Sequence, residues 1–163
     1  MLNRFKIPVI VVATVLLNQV VSRAVSAGTP AAFLPPGTTR YAVASASSGA
    51  NTTSGSMSNL PGMSASITIP EGRRGDVFVL FCGDLYTTST TLVQAMIGGT
   101  VALPGALQLR ASPPGGFSES RCGNFYKLNV GAGTKTIRIQ WASTPGQLST
   151  MLNRSLLVTV NIH

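Results

Sequence analysis

Hydrophobic and polar residues alternate along much of the second half of the chain. In the stretch TKTIRIQWAS, Ile137, Ile139 and Trp141 occupy every second position, and Arg138 and Gln140 lie between them. Successive side chains of a β-strand point to opposite faces of its sheet, so this period of two predicts a strand with one buried and one wet face. We therefore expect Trp141 to be a core residue.

Two further segments alternate in the same way. Between 156 and 162 the even-numbered residues are apolar and face one side, and Leu107 and Leu109 alternate with Gln108 and Arg110. By contrast, VFVLF (Val77 to Phe81) is apolar on both faces. Such a strand is either central, under a covering segment such as the Ser/Thr-rich stretch before it, or part of a subunit contact.

Short β-rich runs separated by Gly and Pro fill the chain after residue 63. They are SASITIP, DVFVLFCG, TLVQAMI, TVALP, ALQLRAS, FYKLNV, TKTIRIQWAS and SLLVTVNI. Runs of this length and punctuation predict an all-β fold, an antiparallel β-sandwich of jelly-roll type with about eight or nine strands. Gly98-Gly99 is a hairpin signal between two of the runs.

The first 27 residues have the three zones of a secretory signal peptide. MLNRFK is basic, IPVIVVATVLL is apolar but too short to cross a bilayer, and VSA ends at Ala27, after which we expect cleavage. Residues 28–63 are rich in Ser, Thr, Gly, Ala and Pro, which predicts a flexible arm or long loop. Within it, RYAVASA (Arg40 to Ala46) could add a strand. The β-sandwich domain is expected over 64–163.

One resemblance is visible in this domain. The series SITIPEG, GDVFVLFCG, NVGAGTKTIRIQWAST and RSLLVTVNI is similar in layout to small secreted jelly-roll sandwiches of the C1q and tumour-necrosis-factor superfold. The resemblance covers about residues 64–163 and implies ten-odd strands in two sheets and frequent trimers. It implies no shared chemistry, because function on such a fold lies in variable loops.

Charge narrows the range of partners. The 163 residues carry a formal charge of +8, and loss of the signal peptide leaves nine basic against four acidic residues, or +5. Apart from Arg73-Arg74 the basic residues stand singly, which argues against a nucleic-acid partner. No second apolar run is long enough for a membrane span. Weak attraction to acidic polysaccharide remains open.

The two cysteines, Cys82 and Cys122, are predicted to form a disulfide, because an even number of cysteines in a secreted chain usually pairs. The alternative is that Cys82 is a buried free thiol. A zinc site is not expected, since two sulfurs and the terminal His163 do not supply four ligands. No cofactor is expected.

Few residues could carry catalysis, so we expect the protein not to be an enzyme. If the disulfide forms, Asp84 and Glu119 lie in neighbouring segments, where two carboxylates could act as a glycosidase pair or, with Asn124, bind calcium. They could equally be solvated turn residues. The tripeptide Arg74-Gly75-Asp76 matches an integrin-recognition motif and is interpreted as a chance match. N-glycosylation sequons begin at Asn51 and Asn153.

Aromatic residues near loops are Tyr41, Tyr86, Phe117, Phe125 and Tyr126, and a sugar-binding platform would need two or three of them coplanar and exposed. Taken together, the sequence favours a secreted, non-catalytic structural or surface-interaction protein of the extracellular space or cell surface. The alternatives are a carbohydrate-binding module and a hydrolase that uses Asp84 and Glu119. The expected partner is an extracellular protein or polysaccharide, and a homo-oligomer is possible.

Overall fold

The structure is a computed structural model that describes residues 37–87, 90–111 and 118–163. The predicted signal peptide, residues 1–27, lies outside the described residues, as does the beginning of the predicted arm. The regular elements of the described ranges are β-strands, and no helix that could span a membrane is found there.

Eight strands follow one another along the chain, and all their pairings are antiparallel. They are β1 (Thr38–Ala46), β2 (Ala50–Thr52), β3 (Ser58–Thr87), β4 (Thr90–Ile97), β5 (Thr100–Val101), β6 (Leu107–Arg110), β7 (Glu119–Ser143) and β8 (Ser149–Ile162). The order of neighbours is β1-β8-β3-β7-β4-β5, with β2 beside β8 and β6 beside β4.

The long strands β3 and β7 each contribute to two layers. Residues 75–87 of β3 lie between β8 and residues 119–130 of β7, and with β1 they form what we call the front sheet. Residues 58–69 of β3 pair with residues 133–141 of β7, which in turn pair with β4 and form the back sheet.

Between the two layers both long strands lose their regular register. The register of β3 shifts between Ile69 and Arg74, where Gly72 has a φ of 72°. In β7 the change falls at Asn129 and Gly133, with φ values of 58° and 100°. Left-handed backbone of this kind suits Gly and Asn. The segments IPEGRRGDV and GAGTK, expected as turns, are therefore the places where the chain passes from one sheet to the other.

Each sheet buries one face, and the buried side chains of both form a single core. The front sheet contributes residues such as Val79, Phe81 and Val158, and the back sheet contributes Ile139 and Trp141. Two sheets that share one core between their inner faces are a β-sandwich. The predicted fold class, an all-β antiparallel sandwich with eight or nine strands, is confirmed.

The predicted faces are also observed. Trp141 is 2% exposed and lies in the core with Ile137 and Ile139, whereas Arg138 points to solvent. The even-numbered residues between 156 and 162 are buried as well. Gly98 and Gly99, with φ values of 58° and 82°, form the turn of the hairpin between β4 and β5.

Strands also occupy much of the interval assigned by composition to an arm or long loop. The strand considered at Arg40 to Ala46 lies within β1, which pairs with β8 along its whole length. β2 and the first residues of β3 follow, so the boundary drawn at residue 63 falls inside β3. Hydrogen bonding of the backbone to a neighbouring strand can order a segment whose side chains bury little surface.

Cys82 and Cys122 form the predicted disulfide. The two residues are direct partners in the ladder between β3 and β7, with their Cα atoms 4.1 Å apart. Phe81, next to Cys82 in β3, is fully buried, so alternation directs both sulfurs to the outer side of the front sheet. The bridge therefore joins two central strands on the face opposite the core.

Candidate ligand-binding face

The outer side of the front sheet carries the apolar residues of VFVLF that do not point into the core. Val77, Val79 and Phe81 point into the core, and Phe78 and Leu80 point outward. Phe78 remains 42% exposed and Leu80 39% exposed. A central strand with apolar side chains on its solvent side indicates that this side has a role other than folding.

Phe78 belongs to a row of side chains that crosses the whole front sheet. Tyr41 of β1 is paired with Thr159 of β8, Thr159 with Phe78 of β3, and Phe78 with Tyr126 of β7. An isolated bridge adds Leu103 beside Tyr126, with backbone hydrogen bonds of 2.9 and 2.8 Å between these two residues. We call these five residues the aromatic row.

A second row lies beside the first, at a distance of two residues along each strand. Val43 is paired with Leu157, Leu157 with Leu80, and Leu80 with Asn124. We call these four residues the aliphatic row, and the two rows together the apolar face. Side chains of directly paired residues stand on the same side of a sheet about 5 Å apart, so the members of each row are neighbours.

The apolar face is open to solvent and has little relief. Tyr41 is 69% exposed and Tyr126 39% exposed, at opposite ends of the run of aromatic side chains. A shallow hollow of about 200 Å³ lies at its centre. The side chains around it come from both rows and are Phe78, Leu80, Asn124, Tyr126, Leu157 and Thr159. Contiguous exposed apolar patches are one of the features that mark interaction sites.

The apolar face is also uncharged, although the chain is strongly basic. None of its nine residues is acidic or basic, while the whole chain carries +8. Asp76 stands in the next row of β3, and its Oδ1 accepts a hydrogen bond of 2.8 Å from the backbone N–H of Asn129. The disulfide forms the boundary beyond Leu80. The polar groups within the face are the hydroxyls of Tyr41, Tyr126 and Thr159 and the amide of Asn124.

The residues of the predicted carboxylate site are not brought together. Asp84 is paired with Ser120 and points outward, whereas Glu119 is paired with the buried Leu85 and points to the opposite side of the sheet. The carboxylate of Asp84 accepts a hydrogen bond of 2.9 Å from the Asn153 side chain.

Glu119 instead forms an ion pair with Arg121, two residues further along β7. Asn124 lies in the aliphatic row, away from both carboxylates. In the part of the chain that the structure describes, no three His, Cys, Asp or Glu residues are grouped so that they could hold a metal ion.

Arg154 is a charged side chain in the interior, 2% exposed, at the irregularity in β8 opposite Gly83. Its Nη1 donates to the carbonyl oxygen of Met151, and its Nε is buried with no hydrogen-bond partner. Burial lowers the pKa of Arg154, because the charged guanidinium loses hydration there. Its Cγ lies over Gly83, where a side chain would be crowded. We therefore interpret Arg154 as a residue that packs against the backbone of β3.

The Arg74-Gly75-Asp76 tripeptide is held within the sandwich. The N–H of Arg74 donates to the carbonyl oxygen of His163, and the N–H of His163 donates back to Arg74. Gly75 is buried against Val160. This segment is part of a paired strand and is not presented at a loop tip.

Comparison with known proteins places the chain in no family. No family model matches it, and no curated protein matches it. Among solved structures it is similar to the CBM36-1 domain of a multidomain xylanase from the hindgut metagenome of Trinervitermes trinervoides. The identity is 16%, the match covers 72% of this chain and 96% of that domain, and the TM-score is 0.39. Similarity at this level assigns neither a family nor a ligand.

The apolar face was only partly visible in the sequence. Tyr41 and Tyr126 are among the aromatic residues considered for a platform, whereas Phe125 is buried and Phe117 lies outside the described residues. Phe78, the centre of the aromatic row, is distinguished in the sequence only as part of VFVLF, which is apolar on both faces. The alternation of side chains along β3 could have identified it. Phe78 and Leu80 are separated from Cys82 by even numbers of residues, so they lie on the same face as the disulfide.

Proposed function

We propose that this is an extracellular, non-catalytic protein that binds a polysaccharide through the apolar face of its front sheet. The observation that carries the proposal is the aromatic row, which brings three exposed aromatic residues, Tyr41, Phe78 and Tyr126, onto one face of the front sheet. Aromatic rings offer rigid, flat apolar surface, and sugar rings offer C–H surface of matching size. The uncharged character of the face favours a ligand that interacts by stacking and hydrogen bonding.

The extracellular location is supported by the disulfide and by the predicted signal peptide. Disulfides persist mainly in oxidising compartments such as the extracellular space. N-terminal sequencing of protein from the culture medium is expected to begin near Gly28. Recovery of the protein with Met1 intact from that fraction would contradict cleavage of the predicted signal peptide, and absence of the protein from that fraction would contradict the location.

The binding function can be tested by retention of the purified protein on insoluble polysaccharides. We expect retention on at least one of cellulose, chitin, xylan and mannan, and loss of most of it in Phe78→Ser. Leu148→Ser is a matched control, because Leu148 is 43% exposed and lies outside the apolar face. Absence of retention on every polysaccharide, or equal loss in both variants, would overturn the proposal.

A protein partner is the second candidate function, and the extent of the apolar face favours it. Contiguous apolar patches beyond a few hundred Å² mark many protein interfaces. A partner that uses the face could be a second copy of this chain. Sedimentation of wild type and Phe78→Ser distinguishes the candidates, because a dimer that dissociates in the variant supports the protein interface.

A further inference from the structure

The aromatic row has a spacing and a direction that restrict its ligand. Its five residues come from five adjacent backbone segments, each hydrogen-bonded to the next. Adjacent strands lie about 4.8 Å apart, so the row extends over roughly 19 Å from Tyr41 to Leu103. It crosses the strands at a right angle to their direction, and an extended ligand that follows it contacts one side chain from each segment.

The rings occupy the first, third and fourth positions of this row. Tyr41 and Phe78 are separated by Thr159, whereas Phe78 and Tyr126 are immediate neighbours. In an extended chain of β-1,4-linked pyranoses, each sugar advances by about one strand spacing, roughly 5 Å. Successive sugars can therefore lie over successive positions of the row, and the aliphatic row supports one side of the chain.

Each ring of the protein needs an apolar sugar face opposite it. A pyranose with only equatorial hydroxyls presents C–H groups on both faces, so it can stack whichever way alternate sugars turn. An axial hydroxyl would be pressed against Phe78 or a neighbouring aliphatic side chain with no hydrogen-bond partner, at a cost in desolvation. A sugar carboxylate would meet no cation within the apolar face, and its desolvation would be more costly still.

Two polar side chains of the face can hydrogen-bond such a chain, one from within the aromatic row and one from beside it. Thr159 is half-buried between Tyr41 and Phe78, and Asn124 is exposed at the end of the aliphatic row. Equatorial hydroxyls project outward from the rim of the sugar ring, where Asn124, beside the chain, can donate and accept hydrogen bonds. Stacking on the rings and hydrogen bonding at the edges are thus compatible.

We propose that the aromatic row binds an uncharged, extended chain of β-linked pyranoses with equatorial hydroxyls, lying across the strands. This inference rests on the polysaccharide-binding function proposed above and specifies its substrate class. A row of roughly 19 Å accommodates about four sugars at one sugar per strand spacing. Because the apolar face is uncharged, its affinity is expected to change little with ionic strength.

Calorimetry with cello-oligosaccharides of two to six sugars tests the length of the site. We expect affinity to rise up to about four sugars and then to level off. Manno-oligosaccharides of equal length, which carry an axial hydroxyl on each sugar, and oligogalacturonates, which carry a carboxylate, are expected to bind at least about tenfold more weakly. Raising the salt concentration from about 0.05 to 0.5 M should leave cellohexaose affinity unchanged within about twofold.

Two tyrosines provide a matched pair of variants. Tyr126 and Tyr86 are both 39% exposed, but Tyr86 lies eight residues beyond Phe78 in β3, roughly 27 Å along the strand. Tyr126→Ala is expected to weaken cellohexaose binding about tenfold, the scale of one lost stacking contact, and Tyr86→Ala to leave it unchanged. Denaturant midpoints of both variants verify that each is folded.

The outcomes separate this inference from the function on which it rests. Equal or tighter binding of manno-oligosaccharides or oligogalacturonates, with Tyr126→Ala still harmful, would overturn the substrate class and leave polysaccharide binding in place. Binding that depends on Tyr86 as much as on Tyr126 would overturn the assignment of the row. No binding of any of the three oligosaccharide series, together with no retention on insoluble polysaccharides, would overturn both proposals.

Discussion

The two outer surfaces of the sandwich are built on the same alternation and have opposite chemistry. On the back sheet, side chains satisfy one another across strands. Gln94 Nε2 donates to Gln140 Oε1 at 2.9 Å, and Gln140 Nε2 donates to Asn59 Oδ1 at 3.1 Å. Thr68 and Thr134 share a hydrogen bond of 2.9 Å on the same surface. Leu92, Met96 and Val101 also point outward there, but the other outward positions are mainly polar, as on an ordinary outward sheet face.

On the front sheet the corresponding positions are apolar. Phe78, Leu80 and Leu157 all point outward and remain more than a third exposed. A sheet that needed only to be soluble could carry Thr or Gln at these sites, as the back sheet does. This difference between the two surfaces is the reason for proposing that the front surface binds a ligand.

The largest effect on stability is expected from a residue of β7 that points into the core. Trp141→Ala should lower the free energy of unfolding by about 3 to 5 kcal/mol, because it removes the largest side chain of the core. Arg138→Ala, on the outer side of the same strand, should change it by only about 0.5 kcal/mol. Urea midpoints at unchanged slope provide the measurement. A costly Arg138→Ala with a harmless Trp141→Ala would reverse the assignment of the faces.

The second largest effect on stability is expected from loss of the disulfide, which lies on the front surface. Replacement of both Cys82 and Cys122 by Ser should lower the free energy of unfolding by about 2 to 4 kcal/mol, since the unfolded chain loses a covalent loop. The measurement is again the urea midpoint, with the unreduced wild type as reference. In that wild type, denatured without reductant, labelling of two free thiols would show that the bridge is absent.

Alternation within each strand could be read from the sequence, and so could the sandwich fold. The partners across strands could not, because Phe78 and Tyr126 are paired over 48 positions of the chain and no local pattern specifies such a register. For this reason the sequence indicates only separate aromatic residues near loops, and Phe78 is not among them. Tyr41 is among the aromatic residues named from the sequence and lies in the strand considered at Arg40 to Ala46, but its place beside Thr159 depends on the pairing of β1 with β8.

The carboxylate hypothesis shows how one register decides a site. The disulfide was predicted, and it does make Asp84 and Glu119 members of neighbouring strands. In an antiparallel pair with Cys82 opposite Cys122, however, the partner of Asp84 is Ser120, so Glu119 falls on the other face. The alternation that places apolar residues on one face of a strand therefore also places these two carboxylates on opposite faces.

A smaller effect is expected from the polar network of the back surface. Gln140→Ala removes two hydrogen bonds, to Gln94 and to Asn59, and should lower the free energy of unfolding by about 1 kcal/mol. Urea denaturation measures the change, and retention on polysaccharide should be unaffected because the site lies on the other sheet. A loss of retention in this variant, with stability intact, would mean that the back surface takes part in binding and that the contrast between the surfaces is misplaced.

The smallest effect on stability, with the largest on binding, is expected from the front surface itself. Phe78→Thr and Leu80→Thr each introduce a β-branched strand former at an exposed position, so each should change the free energy of unfolding by no more than about 0.5 kcal/mol. Combined, they remove the centre of both rows and should abolish retention on the polysaccharide that wild type binds. Urea midpoints and retention are measured on the same preparations. If the double variant were destabilised by several kcal/mol, Phe78 and Leu80 would be part of a buried contact, and the front surface would be a second interior that a partner protein completes.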